Sequence, residues 1–327
     1  MKALRLTRVS TSSPPILAVS SLPIPQLKPG HALVRIRYAS IQPSDRLNAQ
    51  GLFPSTKFPL VPGRDYSGTV VDIADESQKS WIGKSVYGTS GSGLSFQVDG
   101  THGEYCLVPQ AALVEKPASL SFLQAANVGV PFTTAQMCLR RAQVKENDVV
   151  LVLGATGAVG SAAVQMARAM GCKRVLRAAR RNDSSPNIIL SASNPAATLV
   201  ERIATLTDGK GVDVVIDTVG DLGLMSVAVE QLAAKGRYVW ITAPRGDVSK
   251  KLSFDVFQAY RKELSLLGCN SVAPPVEDAA EYLRSMHDWI DQGLLEAQKE
   301  SDYEVVKLGD AIEAGYRKTG KVVIDME

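Results

Sequence analysis

The sequence predicts an α/β protein of two domains, on the strength of its length and of two patterns along the chain. It has 327 residues, 45% of them hydrophobic, which is enough to form two buried cores. Short strand-like segments over residues 1–120 predict an antiparallel β-barrel, completed by residues 270–327. Alternating helix-like and strand-like segments over residues 121–269 predict a doubly wound parallel sheet.

The strands of the first domain are predicted from apolar or alternating segments at short spacing. They are residues 2–7, 32–39, 67–73, 85–87 and 103–108. Proline and glycine clusters at 23–29 and 88–93 separate them, as turns do in an antiparallel protein.

The second domain is predicted from apolar segments that alternate with helical ones. The strands are residues 149–153, 173–177, 212–217, 238–242 and 264–268, with helices that include 196–206 and 224–234. A helix over 276–292, a strand over 303–308, a short helix over 310–318 and a strand over 321–325 close the chain. The connection over residues 181–188 is shorter than the roughly dozen residues that a parallel crossover needs. Either a crossover helix has been lost there, or residues are missing from the sequence.

A glycine-rich turn between the strand at 149–153 and the following helix predicts a dinucleotide site. The turn consists of Gly154, Ala155, Thr156, Gly157, Ala158, Val159 and Gly160. Gly157 would let the backbone approach a pyrophosphate, and Gly160 would let the helix pack closely on the strand. The N–H groups at the helix N-terminus would face the phosphates. The alternative is an ordinary strand-to-helix turn.

The residues after the next strand favour NADPH over NADH. An NAD site usually has an acidic residue there for the ribose hydroxyls, whereas this chain has Arg180 and Arg181 and no acid before Asp183. Two guanidinium groups suit a 2′-phosphate, which arginine binds with paired hydrogen bonds. The alternative is a solvent-exposed pair of arginines.

Composition excludes several classes of protein. The 36 basic and 33 acidic residues give a net charge of +3 with no basic tract, so we expect no nucleic acid partner. No signal peptide or apolar membrane segment is evident. The four cysteines are far apart and form no C-x-x-C motif, so we expect reduced thiols in a cytoplasmic protein.

Several short motifs resemble those of the medium-chain dehydrogenase/reductase superfamily. They include Pro43-Ser44-Asp45, Gly63-Arg64-Asp65-Tyr66-Ser67-Gly68, Phe132-Thr133-Thr134-Ala135 and the glycine turn. Within that superfamily the chain resembles the zinc-independent quinone oxidoreductase and enoyl reductase branch. The resemblance implies a GroES-like barrel, a Rossmann domain and an active site in the cleft between them.

The same resemblance implies that no catalytic metal is used. The positions that match the zinc ligands of the alcohol dehydrogenases are Gln42, Arg64 and Val130, which do not form a zinc ligand set. Without a Lewis acid, hydride must go to an acceptor that is already electron-poor. A quinone or an α,β-unsaturated carbonyl meets that need, and an intermediate of a biosynthetic pathway is one form that such an acceptor could take.

The site residues are carried over from the family. Phe53 stands where the enoyl-thioester reductases have a tyrosine that is thought to help protonate the product. Tyr66 or water would then supply the proton, with Asn48 and Gln42 as candidate donors to the substrate carbonyl. Ser44, Phe53 and Thr133 are expected to line the substrate. Besides the glycine turn and the two arginines, Thr134, Val219 and Thr242 are expected to bind the cofactor.

Two other functions stay open. The chain could be a non-catalytic NADPH-binding protein of the crystallin or adaptor type, or a zinc alcohol dehydrogenase. In every case the expected ligands are small molecules, and a homodimer is possible.

Overall fold

A computed structural model of the protein describes residues 1–180 and 187–327. The predicted cofactor residue Arg181 and most of the short connection at 181–188 lie outside these residues. The described chain forms two compact units, one of Met1–Thr133 with Val272–Glu327 and one of Thr134–Ser271.

The strands and helices are numbered in chain order. The strands are β1 (Lys2–Thr7), β2 (Ile16–Ser21), β3 (His31–Ile41), β4 (Tyr66–Ile73), β5 (Ser85–Gly88), β6 (Tyr105–Pro109), β7 (Val114–Glu115), β8 (Val149–Leu153), β9 (Arg174–Ala179), β10 (Ile188–Ile189), β11 (Val212–Asp217), β12 (Leu232–Trp240), β13 (Ser265–Gly268), β14 (Glu304–Lys307) and β15 (Val322–Asp325). The α-helices are α1 (Pro43–Ala49), α2 (Phe122–Ala125), α3 (Gly129–Arg141), α4 (Ala158–Ala169), α5 (Pro195–Thr207), α6 (Leu222–Glu230), α7 (Val256–Arg261), α8 (Val276–Ser285) and α9 (His287–Asp291).

The first unit is built on a seven-stranded sheet around the long strand β3. The strand order is β14-β15-β3-β4-β5-β7, and β6 also pairs with β3. The pairs are antiparallel except β14 with β15. Ala32, Val34 and Ile36 alternate along β3 and are buried, as expected for strands with one face on a core. A separate hairpin pairs β1 with β2.

The second unit is a six-stranded parallel sheet in the order β10-β9-β8-β11-β12-β13. Renumbered within the unit, this is the order 3-2-1-4-5-6 of dinucleotide-binding domains. The order reverses between β8 and β11, so the loops after these two strands flank the topological switch point. Val150, Leu151, Val152 and Leu153 are all buried, as expected for a strand with helices on both faces.

Four details differ from the sequence prediction. The helix predicted over 224–234 ends at Glu230 because β12 already begins at Leu232. The single helix predicted over 276–292 is two helices, α8 and α9, which meet at Met286. The short helix predicted over 310–318 is a π-helical turn, Ile312–Tyr316. Strand β2 was not predicted, since its pairing with β1 leaves it largely exposed on both faces.

The boundary between the units also differs from the predicted one at 120/121. Residues 121–133 have a helical sequence pattern, which is why the prediction places them in the second domain. In the structure they belong to the first unit: Ser67 Oγ donates to the Phe122 carbonyl at 2.6 Å, and Val130 N–H donates to the Asp65 carboxylate at 2.9 Å.

Candidate active site

The glycine turn of the second unit follows β8 at the switch point. Gly154 has φ +78°, and a Cβ there would lie 2.5 Å from Thr218 Oγ1, which itself donates to the Leu153 carbonyl at 2.8 Å. Gly154 and Ala155 N–H both donate to the Ala178 carbonyl, at 3.0 and 3.1 Å. Position 154 therefore requires glycine for backbone geometry and for space.

Gly157 and Gly160 have different surroundings, and these fit the two roles expected from the sequence. A Cβ on Gly160 would lie 2.2 Å from the Gly154 carbonyl oxygen, so helix α4 could not pack against the turn. A Cβ on Gly157 would meet only that oxygen, at 3.3 Å, and Gly157 is exposed at the N-cap of α4. The open space at Gly157, beside the free N–H groups of the helix, fits a bound pyrophosphate.

The loop after β11 forms the other side of the switch point and is held by Asp217. This buried carboxylate accepts from Val219 N–H at 2.7 Å, Gly220 N–H at 3.1 Å and the Tyr238 hydroxyl at 2.9 Å. Burial raises the pKa of Asp217, and these three hydrogen bonds oppose the rise. The Val219 side chain remains 42% exposed beside the loop. Asp217 was not predicted as a site residue, although an acidic residue at the end of an apolar strand, before Val219-Gly220, is a visible signal.

Three of the other predicted cofactor residues, Thr242, Thr134 and Arg180, lie within the described residues. Thr242 packs against Gly220, where a Cβ would lie 2.8 Å from the Thr242 carbonyl carbon. Thr134 lies on α3, and its hydroxyl is buried without a hydrogen-bond partner among the residues the structure describes. Arg180 is exposed directly after β9, whose last residues, Ala178 and Ala179, are buried and carry no acid.

The first unit contains a buried polar cluster, which consists of Gln42, Asp45, Arg64 and Asp65. These four residues are 7%, 0%, 2% and 0% exposed. Gln42 Nε2 donates to Asp65 Oδ2 and to Ser40 Oγ, both at 2.9 Å, and Val130 N–H donates to the same carboxylate. Gly129 makes this approach possible, because a Cβ there would lie 2.3 Å from Asp65 Oδ1. The three positions that match the zinc ligands of the alcohol dehydrogenases, Gln42, Arg64 and Val130, thus lie around Asp65.

Arg64 supplies the positive charge of this cluster. Its Nε donates to Ser90 Oγ at 2.8 Å and its Nη1 to Ser44 Oγ at 3.1 Å. Burial lowers the pKa of Arg64, while the charges of Asp65 and Asp45 oppose the change. The guanidinium therefore stays charged, since arginine starts from a pKa far above neutrality.

Both carboxylates of the cluster titrate nearer to neutrality than usual. Burial raises the pKa of Asp45 to about 7 and that of Asp65 to about 6, with the Arg64 charge opposing both shifts. Asp45 Oδ2 accepts from Gln42 N–H at 2.8 Å, whereas its Oδ1 has no partner within the described chain. Asp45 and Asp65 belong to the family motifs but were assigned no role from the sequence.

Of the remaining predicted catalytic residues, Asn48 is held by hydrogen bonds to neighbouring residues, and Tyr66 is enclosed by the protein. Asn48 Nδ2 donates to the Ser95 carbonyl at 2.6 Å, and its Oδ1 accepts from Thr56 Oγ1 at 2.6 Å. Tyr66 is 1% exposed, with its hydroxyl against Gly88 and without a partner among the described residues. Burial raises the pKa of Tyr66. An enclosed hydroxyl of this kind is a poor proton donor to a substrate.

The predicted substrate residues Phe53 and Thr133 have different surroundings. Phe53 is half-buried and meets Phe96 edge-on, with 5.1 Å between ring centroids. Thr133 Oγ1 donates to the Gly129 carbonyl at 2.8 Å, as threonine often does within a helix.

Comparison with known proteins agrees with both halves of the fold. Residues 28–118 match the alcohol dehydrogenase GroES-like domain, and residues 158–289 match the zinc-binding dehydrogenase family. A zinc-type alcohol dehydrogenase-like protein of Schizosaccharomyces pombe is 45% identical over 286 residues, which cover 88% of this chain and 84% of that protein. Human quinone oxidoreductase is 25% identical over 335 residues, covering 99% and 98%. An alcohol dehydrogenase superfamily protein of Novosphingobium aromaticivorans has a TM-score of 0.81 at 25% identity over 100% of both chains.

The fold and these relatives define a GroES-like domain joined to a Rossmann-like parallel sheet, which confirms the predicted fold class. The chain belongs to the medium-chain dehydrogenase/reductase superfamily and is an oxidoreductase of that superfamily. Members of this superfamily bind a nicotinamide cofactor, and the open Gly157 turn fits its pyrophosphate. No helix among the described residues has the length and apolar character to cross a membrane.

The name of the zinc-binding family raises the question of a metal, and the residues present do not fit one. An amide, a guanidinium and an aliphatic side chain, at Gln42, Arg64 and Val130, cannot make the set of thiolate, imidazole or carboxylate ligands that zinc requires. A fixed positive charge within the cluster would also repel the ion. Over residues 1–180 and 187–327, no group of three or more His, Cys, Asp or Glu side chains is arranged to hold a metal.

Proposed function

We propose that the protein is a zinc-independent, NADPH-dependent reductase that transfers hydride to a quinone or an α,β-unsaturated carbonyl. The observation that carries this proposal is the buried polar cluster of Gln42, Asp45, Arg64 and Asp65. It includes an amide and a guanidinium at Gln42 and Arg64, two of the three positions that match the zinc ligands of the alcohol dehydrogenases. Without a Lewis acid an ordinary alcohol is not activated, so the acceptor must delocalise negative charge by itself.

The cofactor proposal rests on the second unit. The N–H groups at the start of α4, opened by Gly157, would hold the pyrophosphate, and Thr134, Val219 and Thr242 would line the rest of the cofactor. Arg180, with Arg181 beyond the described residues, would bind the 2′-phosphate and so select NADPH. When bound, this cofactor supplies the hydride.

The acceptor proposal rests on the first unit. Ser44 Oγ accepts from Arg64 Nη1, which leaves its own proton free to be donated to a substrate oxygen. Ser44 is only half-buried, whereas Asn48 is held by Ser95 and Thr56. Ser44 is therefore better placed than Asn48 to stabilise the oxyanion that forms after hydride transfer. The exposed edge of Phe53 is proposed to wall the acceptor, and Thr133 to border it.

Water is the favoured proton source after hydride transfer. Tyr66 is enclosed, and Phe53 carries no ionisable group, so the first unit offers neither residue as an open donor. A hydroquinone anion or an enolate can be protonated by solvent once it forms. This assignment predicts faster turnover with quinones, whose reduced anion is the more stable.

The test is NADPH oxidation with a panel of quinones, enones, enals and enoyl thioesters, before and after dialysis against a chelator. We expect turnover with quinones or enones that survives the chelator. Ser44→Ala should lower kcat while leaving NADPH affinity unchanged, and the exposed Ser12→Ala serves as its control. Tight NADPH binding without turnover on any acceptor would favour the non-catalytic binding protein. Stoichiometric zinc, with activity lost on its removal, would favour a zinc alcohol dehydrogenase.

A homodimer is proposed from one edge of the second unit. Strand β13 ends the parallel sheet, and the neighbouring helix α7 exposes Val256, Phe257 and Tyr260 by 68%, 60% and 62%. A strand edge that no other described strand pairs with, beside such an apolar patch, suits a second copy of the chain. Light scattering of the protein and of Tyr260→Glu would test this, with the monomer expected only for the variant. We also propose a cytoplasmic location, in keeping with four free thiols.

A further inference from the structure

A cavity of about 410 Å³ lies beside strand β6, and all the residues that line it belong to the first unit. Its volume falls within the range of protein sites that bind small molecules. Ser44, Phe53 and Thr133, which are proposed to border the hydride acceptor, are not among its lining residues. The cavity is therefore a second candidate site, separate from the one proposed for the acceptor.

The walls of the cavity are held by hydrogen bonds within the first unit. Strand β6 pairs with β3 along its whole length, from Tyr105 to Pro109. On the opposite wall, Ser95 N–H donates to the Val98 carbonyl at 3.0 Å. Ser92 N–H donates to the Pro274 carbonyl at 2.7 Å, which ties this wall to the segment just before α8. A ligand would therefore meet walls that are already in place, which lowers the cost of binding.

Most of the lining is apolar and includes several rings. The apolar residues are Pro25, Leu94, Val98, Leu107, Pro109 and Val276. Tyr105 lines the cavity as well, and the rings of tyrosine and proline are surfaces on which an aromatic ligand packs well. Burial raises the pKa of the lining thiol of Cys106 to about 12, so this thiol carries no charge in neutral solution.

Lys28 supplies a positive charge at the cavity that no described residue balances. Its ammonium group forms no ion pair with any residue over 1–180 and 187–327. Asp99 is the acidic residue of the lining, and its Oδ1 accepts from Val61 N–H at 2.7 Å. The same oxygen lies 3.7 Å from Arg5 Nη1, so the charge of Asp99 already has a partner. The arrangement favours a ligand with one negative charge.

We propose that this cavity is a binding site for an aromatic carboxylate. The ring of the ligand lies among the apolar residues, and its carboxylate pairs with Lys28. Because Lys28 is exposed, the charge pair sets the preference for an anion, whereas burial of the ring supplies most of the affinity. The site needs neither the nicotinamide cofactor nor the hydride acceptor, so it does not depend on the proposed reductase activity.

The first experiment is calorimetric titration of the protein with three probes. Naphthoate has both the ring and the charge, naphthalenemethanol has the ring alone, and octanoate has the charge without a ring. We expect saturable binding of naphthoate at one site, with weaker binding of the other two. The absence of saturable naphthoate binding up to millimolar concentrations would overturn the proposal, and octanoate binding as tightly would overturn the aromatic assignment.

Variants of Lys28 test the charge. Lys28→Met should weaken naphthoate binding about three- to fivefold, as for an exposed ion pair, and leave naphthalenemethanol binding unchanged. Lys28→Arg, which keeps the charge, should bind naphthoate nearly as the unaltered protein does. The matched control is Lys318→Met, at an exposed lysine that does not line the cavity. Equal naphthoate affinity in Lys28→Met and Lys318→Met would exclude Lys28 as the partner of the carboxylate.

A larger side chain tests the place of the ring. Val98 is 53% exposed, so Val98→Trp should fold while it fills the cavity, and naphthoate binding should weaken at least about tenfold. Val9→Trp, at a position that is 84% exposed and outside the cavity, is the control. Thermal unfolding is recorded for both variants, and the exposed Lys28 variants remain decisive if Val98→Trp does not fold. A folded Val98→Trp that binds naphthoate normally would overturn the proposal.

Ser44→Ala distinguishes this cavity from the proposed acceptor site. Naphthoate affinity should be the same in Ser44→Ala as in the unaltered protein, and Lys28→Met should leave quinone turnover unchanged. A loss of naphthoate binding in Ser44→Ala would place the ligand at the acceptor site and overturn the proposal.

Discussion

Gly157 and Gly160 offer a test that separates cofactor binding from folding. Gly160→Ala would place a Cβ 2.2 Å from the Gly154 carbonyl oxygen, and the atoms it meets are all backbone. Because backbone cannot rotate away, the helix must shift, and such overpacking costs about 3 kcal/mol, or about 6–12 °C in Tm for a unit of this size. We expect Gly160→Ala to be clearly destabilised.

Gly157→Ala should behave in the opposite way. Gly157 has φ −75°, which alanine adopts freely, and its Cβ would meet only one oxygen at 3.3 Å. The loss of an N-cap glycine and the reduced entropy of the unfolded chain offset each other to within about 0.5 kcal/mol. The methyl group would nevertheless stand where the pyrophosphate approaches the helix. Losing hydrogen bonds to a charged group costs about 1.5–3 kcal/mol, so the NADPH Kd should rise at least about tenfold.

The assay is calorimetric titration with NADPH beside thermal unfolding, for both variants and for Gly309→Ala. A Cβ added at Gly309 would meet no atom within 4 Å, so its variant should match the unaltered protein in both measurements. If Gly157→Ala binds NADPH within about twofold of the unaltered protein, the phosphates do not lie at this turn. If Gly160→Ala is as stable as Gly309→Ala, the close contact with Gly154 does not constrain the fold.

Three further predictions concern the choice between NADPH and NADH, the source of the proton and the pH dependence of stability. The double variant Arg180→Ala with Arg181→Ala should raise the NADPH Kd at least about tenfold and leave NADH nearly unchanged; equal affinity for the two cofactors in the unaltered protein would remove this basis for selection. Tyr66→Phe removes a buried hydroxyl that has no partner among the described residues, so unfolding measurements should show it equal or more stable by about 1 kcal/mol, with quinone turnover unchanged. A fall in enone reduction of at least about tenfold would instead identify Tyr66 as the proton donor. The pKa values of Asp45 and Asp65 are raised on folding, so the folded state binds more protons between about pH 4 and 7 and stability should fall as pH rises through that range, by at most about 1.4 kcal/mol per unit for each group. Asp45→Asn should flatten urea-unfolding profiles recorded across this range, whereas the exposed Glu76→Gln should not.

The parts of the protein that depend on short-range sequence were predictable. The turn from Gly154 to Gly160 could be predicted because strand, turn and helix are contiguous, and because Gly157 and Gly160 both face Gly154, which is only a few residues away. Strand β2 was not predictable, because it buries little and, among the described residues, pairs only with β1.

The buried cluster could not be predicted, because its members converge from separate elements. Gln42 and Asp45 come from the start of α1, and Arg64 and Asp65 precede β4. Val130, whose N–H donates to Asp65, belongs to α3. Only the family resemblance indicated that Gln42, Arg64 and Val130 lie near one another. Position along the chain likewise did not reveal that Tyr66 points inward, because only the packing of β4 on β5 decides that direction.

The acidic pair beside Arg64 has a consequence for ligand binding. A carboxyl group whose pKa is about 7 is partly protonated in neutral solution, so a small change in the nearby electric field alters its occupancy. An anionic ligand or reduced product that comes close to Asp45 would draw a proton from solvent, and its departure would return that proton. The heat of binding would then depend on the ionisation enthalpy of the buffer. The first unit would take up a proton each time such a ligand binds and release it each time the ligand leaves.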